Sequence, residues 1–120
     1  MSGLAGKRIL IVEDEFLIAA TAVDMLEEQG ATVIGPATTI AQAHSLAETE
    51  EIDAAVLDVN LHGERIERVA EALRERRIPF VFTTGYGERA FDREQSAPIL
   101  DKPYTDSQLA RALLNVLNSK

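Results

Sequence analysis

Short apolar runs that each close on polar or charged residues recur along the chain, and amphipathic stretches fill the intervals between them. Ile9-Leu10-Ile11-Val12 runs into Glu13-Asp14-Glu15, and Ala54-Ala55-Val56-Leu57 runs into Asp58. Phe80-Val81-Phe82 is followed by Thr83-Thr84-Gly85, and Ile99-Leu100 by Asp101-Lys102-Pro103. This alternation reads as repeated βα units and therefore as a parallel sheet. In an open parallel sheet the C-terminal ends of all strands share one edge, where ligands bind. Acids, a hydroxyl and an amine are thus expected together, the inventory of a metal-assisted phosphoryl site.

The intervals support this reading. A first helix is expected from about Glu15 to Gln29, with Ile18, Ala22, Met25 and Leu26 on one stripe and Gly30 as its C-terminal cap. A strand over Ala31 to Ile34 follows, and Gly35-Pro36 is expected to turn the chain. Thr39 with Gln42 fits a capping box for a helix that turns Ile40, Ala43 and Ala47 inward. A strand at Ala54 to Asp58 leads through a loop at Gly63 to a third helix carrying Ile66, Val69, Ala70 and Leu73. Pro79 precedes the strand Phe80 to Thr83, and a short fourth helix is expected between Gly87 and Ala97, where Ala90 and Phe91 are the apolar anchors. Pro98 suits an edge position for the last strand. Thr105 and Gln108 form a second capping box, with Leu109, Ala112, Leu113, Val116 and Leu117 buried and Leu114 exposed off that stripe. The expected architecture is α/β, a doubly wound, flavodoxin-like (βα)5 three-layer sandwich with parallel strand order 2-1-3-4-5.

Length and composition bound the function. At 120 residues the chain makes one domain, 1–120, with no room for a second folded unit. No apolar stretch approaches the roughly 18 residues that span a membrane, no secretory segment opens the chain, and cysteine is absent. These features point to a soluble, cytoplasmic protein without disulfides or thiolate metal sites. A net charge of −8 argues against direct nucleic-acid binding, which needs clustered cations on phosphate. The cluster Arg74-Glu75-Arg76-Arg77 falls at a predicted helix C-terminus, where cations suit the dipole.

Neighbouring carboxylates repel, so gathering Glu13, Asp14 and Asp58 costs stability unless a cation joins them. Mg²⁺ suits this set, because it prefers hard oxygen ligands and combines one or two carboxylates with water and phosphate oxygens. Asp14 and Asp58 are the expected direct ligands, with the longer Glu13 acting through water; Glu15 is expected to cap the following helix. A carboxylate can attack phosphorus to form an acyl phosphate when the transferring oxygens are neutralised. Lys102 supplies a compact positive charge for that purpose and Thr84 a hydroxyl donor.

Taken together, Val12-Glu13-Asp14-Glu15, Leu57-Asp58-Val59-Asn60-Leu61, Thr84-Gly85 and Lys102-Pro103 resemble the receiver domain of two-component response regulators, over essentially the whole chain. The resemblance implies that Asp58 is the phosphoacceptor, Glu13 and Asp14 the acidic pair, Thr84 the switch hydroxyl and Lys102 the phosphate-contacting lysine. It further implies that the main-chain carbonyl of Asn60 is a Mg²⁺ ligand and that Lys102-Pro103 is cis. Phe82-Thr83-Thr84-Gly85-Tyr86 is similar to the Phe-Ala-Thr-Gly-hydrophobic-Tyr run of alphaproteobacterial receivers, often stand-alone, except that Thr83 replaces Ala and Gly87 stands at the last Tyr. The usual receiver carries an aromatic switch residue three before its lysine; here that position is Ile99. Tyr86 and Tyr104 are the aromatic alternatives, each equally readable as a packing residue. His62, in place of a common loop proline, reads as a solvated histidine and His44 as a structural one.

The implied function is a phosphoacceptor response regulator that takes a phosphoryl group from a histidine kinase or histidine phosphotransfer protein and signals to a downstream protein by changing its binding face. It is a signalling receiver rather than an enzyme. A receiver excised from a hybrid kinase or larger regulator fits the same residues. A receiver-like interaction module that is never phosphorylated is a further alternative, against which the full set of acids, Thr84 and Lys102 weighs. A metabolite phosphohydrolase lacks both a second Asp at Asn60 and the length for a substrate cap.

Overall fold

The computed structural model describes residues 3–61, 64–85 and 97–119. Five strands form one sheet: β1 Arg8–Val12, β2 Thr32–Ala37, β3 Ala54–Asp58, β4 Phe80–Thr84 and β5 Ile99–Asp101. All four pairings are parallel, in the order 2-1-3-4-5. Four helices lie among the described residues: α1 Phe16–Glu28, α2 Ile40–Thr49, α3 Glu67–Glu75 and α4 Asp106–Asn118. The helix expected over Gly87 to Ala97 falls outside the described residues except for Ala97. A short antiparallel ribbon joins Asn60–Leu61 to Glu64–Arg65 after β3. Among the described residues, no helix is long and apolar enough to cross a membrane.

Period-two alternation along the strands divides the core into two layers. Ile9, Ile11, Ala54, Val56 and Val81 pack with Ala22 and Leu26 of α1 and with Leu109 and Leu113 of α4. Leu10, Val12, Ala55, Leu57, Phe80 and Phe82 pack with α2 and α3 on the other face. The central strands β3 and β4 are buried along their whole length, as expected of parallel strands covered on both sides.

Several local expectations are corrected. Gly35-Pro36 does not turn the chain: β2 runs through it to Ala37, with a cis Gly35–Pro36 bond and a register shift between Leu10 and Val12 of β1. Gly35 has φ +96°, and a Cβ there would lie 2.7 Å from the Ala37 nitrogen, so the bulge requires glycine. Pro36 is tolerated because β2 is an edge strand. On α1 the buried positions are Ala19, Ala22 and Leu26, while Ile18 and Met25 are half-exposed. Thr39 caps α2 through the Gln42 N–H, but the Gln42 side chain accepts from Thr38, one residue before the position a full capping box uses. The box at Thr105 and Gln108 is complete. Leu114 is half-buried rather than exposed, because Gly3 lies against it and Leu4 is buried in the α1–α4 layer.

Two arginines of the cluster at the end of α3 make contacts within the fold. Arg76 donates to the Ala47 carbonyl at 2.6 Å, and the Arg74 guanidinium lies 5.2 Å from the Phe80 ring centre. His44 faces Glu48 one turn on, at 3.5 Å.

Candidate functional site

The alternation that builds the core also builds the site. Continuing each strand two residues past its last residue in the α1–α4 layer leads from Ile11 to Glu13, from Val56 to Asp58, from Val81 to Thr83 and from Leu100 to Lys102. Three neighbouring strands and the end of β5 therefore deliver polar side chains to one face at the C-terminal edge. Glu13 and Asp58 are only 3% and 2% exposed. The Lys102 ammonium lies between them, 2.9 Å from Glu13 Oε1 and 3.4 Å from Asp58 Oδ2. Glu13, Asp14 and Asp58 each offer a carboxylate oxygen, all within 4.8 Å of one another.

Backbone contacts fix these groups. Lys102 N–H donates to the Thr84 carbonyl at 2.8 Å, and the Lys102–Pro103 bond is cis, as the resemblance implied. Val59 N–H donates to the Thr83 carbonyl at 3.0 Å, just beyond Asp58. Glu13 Oε2 accepts the Glu15 N–H at 3.1 Å. Glu15 itself, expected to cap α1 with its side chain, makes no side-chain cap bond. Glu13 does that work because its carboxylate is held rigidly between the lysine and the start of the helix.

Burial pushes the Lys102 ammonium toward neutrality, but its hydrogen bond to Glu13 and the charges of Asp58 and Glu13 prevail, so its pKa lies above the usual lysine value. Burial, reinforced by the negative charge of Glu13, pushes the Tyr104 hydroxyl up to about 12. Tyr104 is therefore neutral across the physiological range and near the acidic site.

Thr84 is buried, and its hydroxyl donates to Asp101 Oδ1 at 3.1 Å. Ile99, which pairs with Phe82, packs against the α2–α3 layer. Asn60 opens the short ribbon two residues beyond Asp58. Tyr86 and His62 lie outside the described residues.

Three features escaped the sequence reading. Asp101 is the register partner of Thr84, a pairing that the chain does not reveal until the strands are aligned. Thr83, the register partner of Asp58, is 1% exposed. Phe16 and Leu17 are 81% and 75% exposed at the start of α1, and Leu17, Ile18, Met25, Pro103 and Tyr104 line a cavity of about 430 Å³ beside Lys102. The signal for that patch was available: two apolar residues follow the acidic triplet and stand off the buried stripe.

The donor set fits Mg²⁺. Three close carboxylates, two of them buried, match an oxygen-preferring divalent ion, whereas no cysteine exists to favour a softer one.

A doubly wound sheet with a lysine held between two buried acids, beside a third, at its C-terminal edge defines the class, and residues 9–114 match the response regulator receiver domain. The chain belongs to that family. It is 32% identical over 112 residues to the transcriptional regulatory protein PdtaR of Mycobacterium tuberculosis, a match covering 89% of this chain and 55% of PdtaR. The chain thus spans about half the length of that relative. The solution structure of SdrG from Sphingomonas melonis Fr1 aligns with TM-score 0.84 and 47% identity, covering 98% of this chain and 99% of SdrG. A BeF3-activated conformation of SdrG, from Pseudomonas melonis Fr1, aligns at 0.75 and 46%, covering 94% and 98%. The receiver domain of the sensor histidine kinase PA1611 from Pseudomonas aeruginosa PAO1, with magnesium in its active-site cleft, aligns at 0.82 and 27%, covering 95% and 99%.

Proposed function

We propose that this receiver accepts a phosphoryl group on Asp58 from the phosphohistidine of a kinase or phosphotransfer protein. An Asp58 carboxylate oxygen attacks phosphorus, a P–O bond forms, the P–N bond breaks, and its electron pair returns to the imidazole. Asp14, Asp58 and the main-chain carbonyl of Asn60 would hold Mg²⁺ directly and Glu13 would hold it through water; when bound, the ion would supply charge neutralisation on the transferring oxygens. The observation that carries this reading is the buried Lys102 ammonium, 3.4 Å from Asp58, on a backbone whose N–H is tied to the Thr84 carbonyl. That charge is in place before any phosphoryl oxygen arrives, and it reaches the transferring oxygens by exchanging its carboxylate partners for them.

Thr84 is the switch hydroxyl in this reading. Ile99 leaves the aromatic switch position aliphatic, and Tyr104, neutral and beside the site, contributes the nearby aromatic surface. Tyr86 is a second candidate for that role. The exposed Phe16 and Leu17, next to the cavity bordered by Tyr104, suit the apolar face of a helical phosphodonor that must bring its histidine to Asp58. The chain acts as one receiver unit over 1–120 in the cytoplasm, signals to a downstream protein, and assists its own phosphorylation and dephosphorylation without acting on metabolites.

The test is intact mass after incubation with Mg²⁺ and acetyl phosphate. One phosphate adduct is expected, absent in Asp58→Ala and in excess chelator. An adduct that survives Asp58→Ala, or no adduct in the folded natural protein, overturns the assignment and favours an interaction module that is never phosphorylated.

A further inference from the structure

The hydroxyl assigned to the switch already has an acceptor. Thr84 Oγ1 donates to Asp101 Oδ1 at 3.1 Å across the β4–β5 ladder, where the two residues are direct register partners. A threonine hydroxyl carries one proton and can donate once, so it serves either Asp101 or a phosphoryl oxygen on Asp58. Strand alternation places Thr84 and Asp101 with Phe82 and Ile99, on the α2–α3 side. Asp58 and Lys102 continue the opposite face. The Thr84 backbone is tied by its carbonyl to Lys102 N–H at 2.8 Å, so exchange of acceptors is a movement of the side chain and strand end. Thr84 is 3% exposed, so the donor is buried, while Asp101 at the end of β5 is exposed.

We propose that Asp101 is a positioning residue that holds the Thr84 hydroxyl away from the phosphoryl site, so that occupation of Asp58 must break the Thr84–Asp101 hydrogen bond. The inference rests on the phosphoacceptor reading of Asp58. Asp101 then sets the resting balance of the switch, and its removal favours the phosphorylated arrangement because the hydroxyl no longer loses a partner in reaching it. A negative charge near an incoming anion also repels it, and the test separates that effect from acceptor competition.

The experiment is calorimetric titration with beryllofluoride, a phosphoryl mimic, in saturating Mg²⁺. It compares the natural protein, Asp101→Ala, Asp101→Asn, Thr84→Val and the double variant Thr84→Val with Asp101→Ala, each checked for folding by circular dichroism. Asp101→Ala is expected to bind about three- to tenfold tighter, the scale of one hydrogen bond net of solvent. Asp101→Asn, which keeps an oxygen acceptor without the charge, is expected within about twofold of the natural protein, and Asp101→Ala is expected to add nothing in the Thr84→Val background. Equal gains from Ala and Asn, an undiminished gain in the Thr84→Val background, or no gain at all overturns the role of Asp101 while leaving Asp58 as the phosphoacceptor. Failure of the natural protein to bind beryllofluoride, or binding that persists in Asp58→Ala, overturns both readings.

Discussion

Lys102 keeps Glu13 and Asp58 compatible, and replacing it leaves two buried carboxylates face to face. Lys102→Met is expected to destabilise the metal-free protein by about 3 kcal/mol near neutral pH, the cost of breaking a buried ion pair. Added Mg²⁺ is expected to recover much of that loss, since no ammonium then competes for the oxygens; urea unfolding midpoints with and without the ion check both outcomes. Tyr104 makes an alkaline prediction. Its pKa rises from 10.0 to about 12 on folding, so its contribution to stability is complete below about pH 10 and is lost as pH climbs toward about 12. Lys102, also raised, acts in the same direction. Tyr104→Phe is therefore expected to flatten the alkaline decline without abolishing it, as read from denaturant midpoints between about pH 8 and pH 11.5 in metal-free buffer. The acids and Lys102 were legible in sequence because each follows an apolar run whose end can be located by eye. Asp101 was not, since its meaning depends on which residue of a neighbouring strand it meets.

Among the elements, α3 ends in an unusual way. Arg77 N–H donates to the Arg74 carbonyl and Ile78 N–H to that of Leu73, the bond pattern that α1 makes with Gly30. In α3 the left-handed residue is Arg77, at φ 61°. Arg77→Gly is expected to stabilise the protein by about 0.5–1 kcal/mol, because glycine removes the Cβ strain while adding some unfolded-state entropy. Thermal unfolding decides it: a lowered midpoint rejects the argument. Helix starts were read well from Thr39 and Thr105, whose side chains cap through local bonds. Gly35-Pro36 was misread because the same dipeptide serves a turn or a bulged edge strand, and the choice between them is made by β1, distant in sequence.

At the scale of the whole molecule, strand order was legible from the βα alternation and from Pro98 before an edge strand. The sealing of α4 by the N-terminal turn was not, since a lone leucine among small residues carries no periodicity. Leu4 is fully buried there, and Leu4→Ala is expected to cost about 3 kcal/mol, measured as a fall in urea midpoint at unchanged slope. The division of the sheet into two faces has one more consequence, in the fidelity of folding. Lys102 and Asp101 are adjacent residues of opposite charge, so their parity decides which of them meets Glu13 and Asp58. Were β5 to dock one residue out of step, every side chain would change faces, and a third carboxylate would stand where the ammonium belongs. The Asp-Lys pair thus proofreads the alignment of the last strand, penalising the nearest misfolded sheet by charge repulsion.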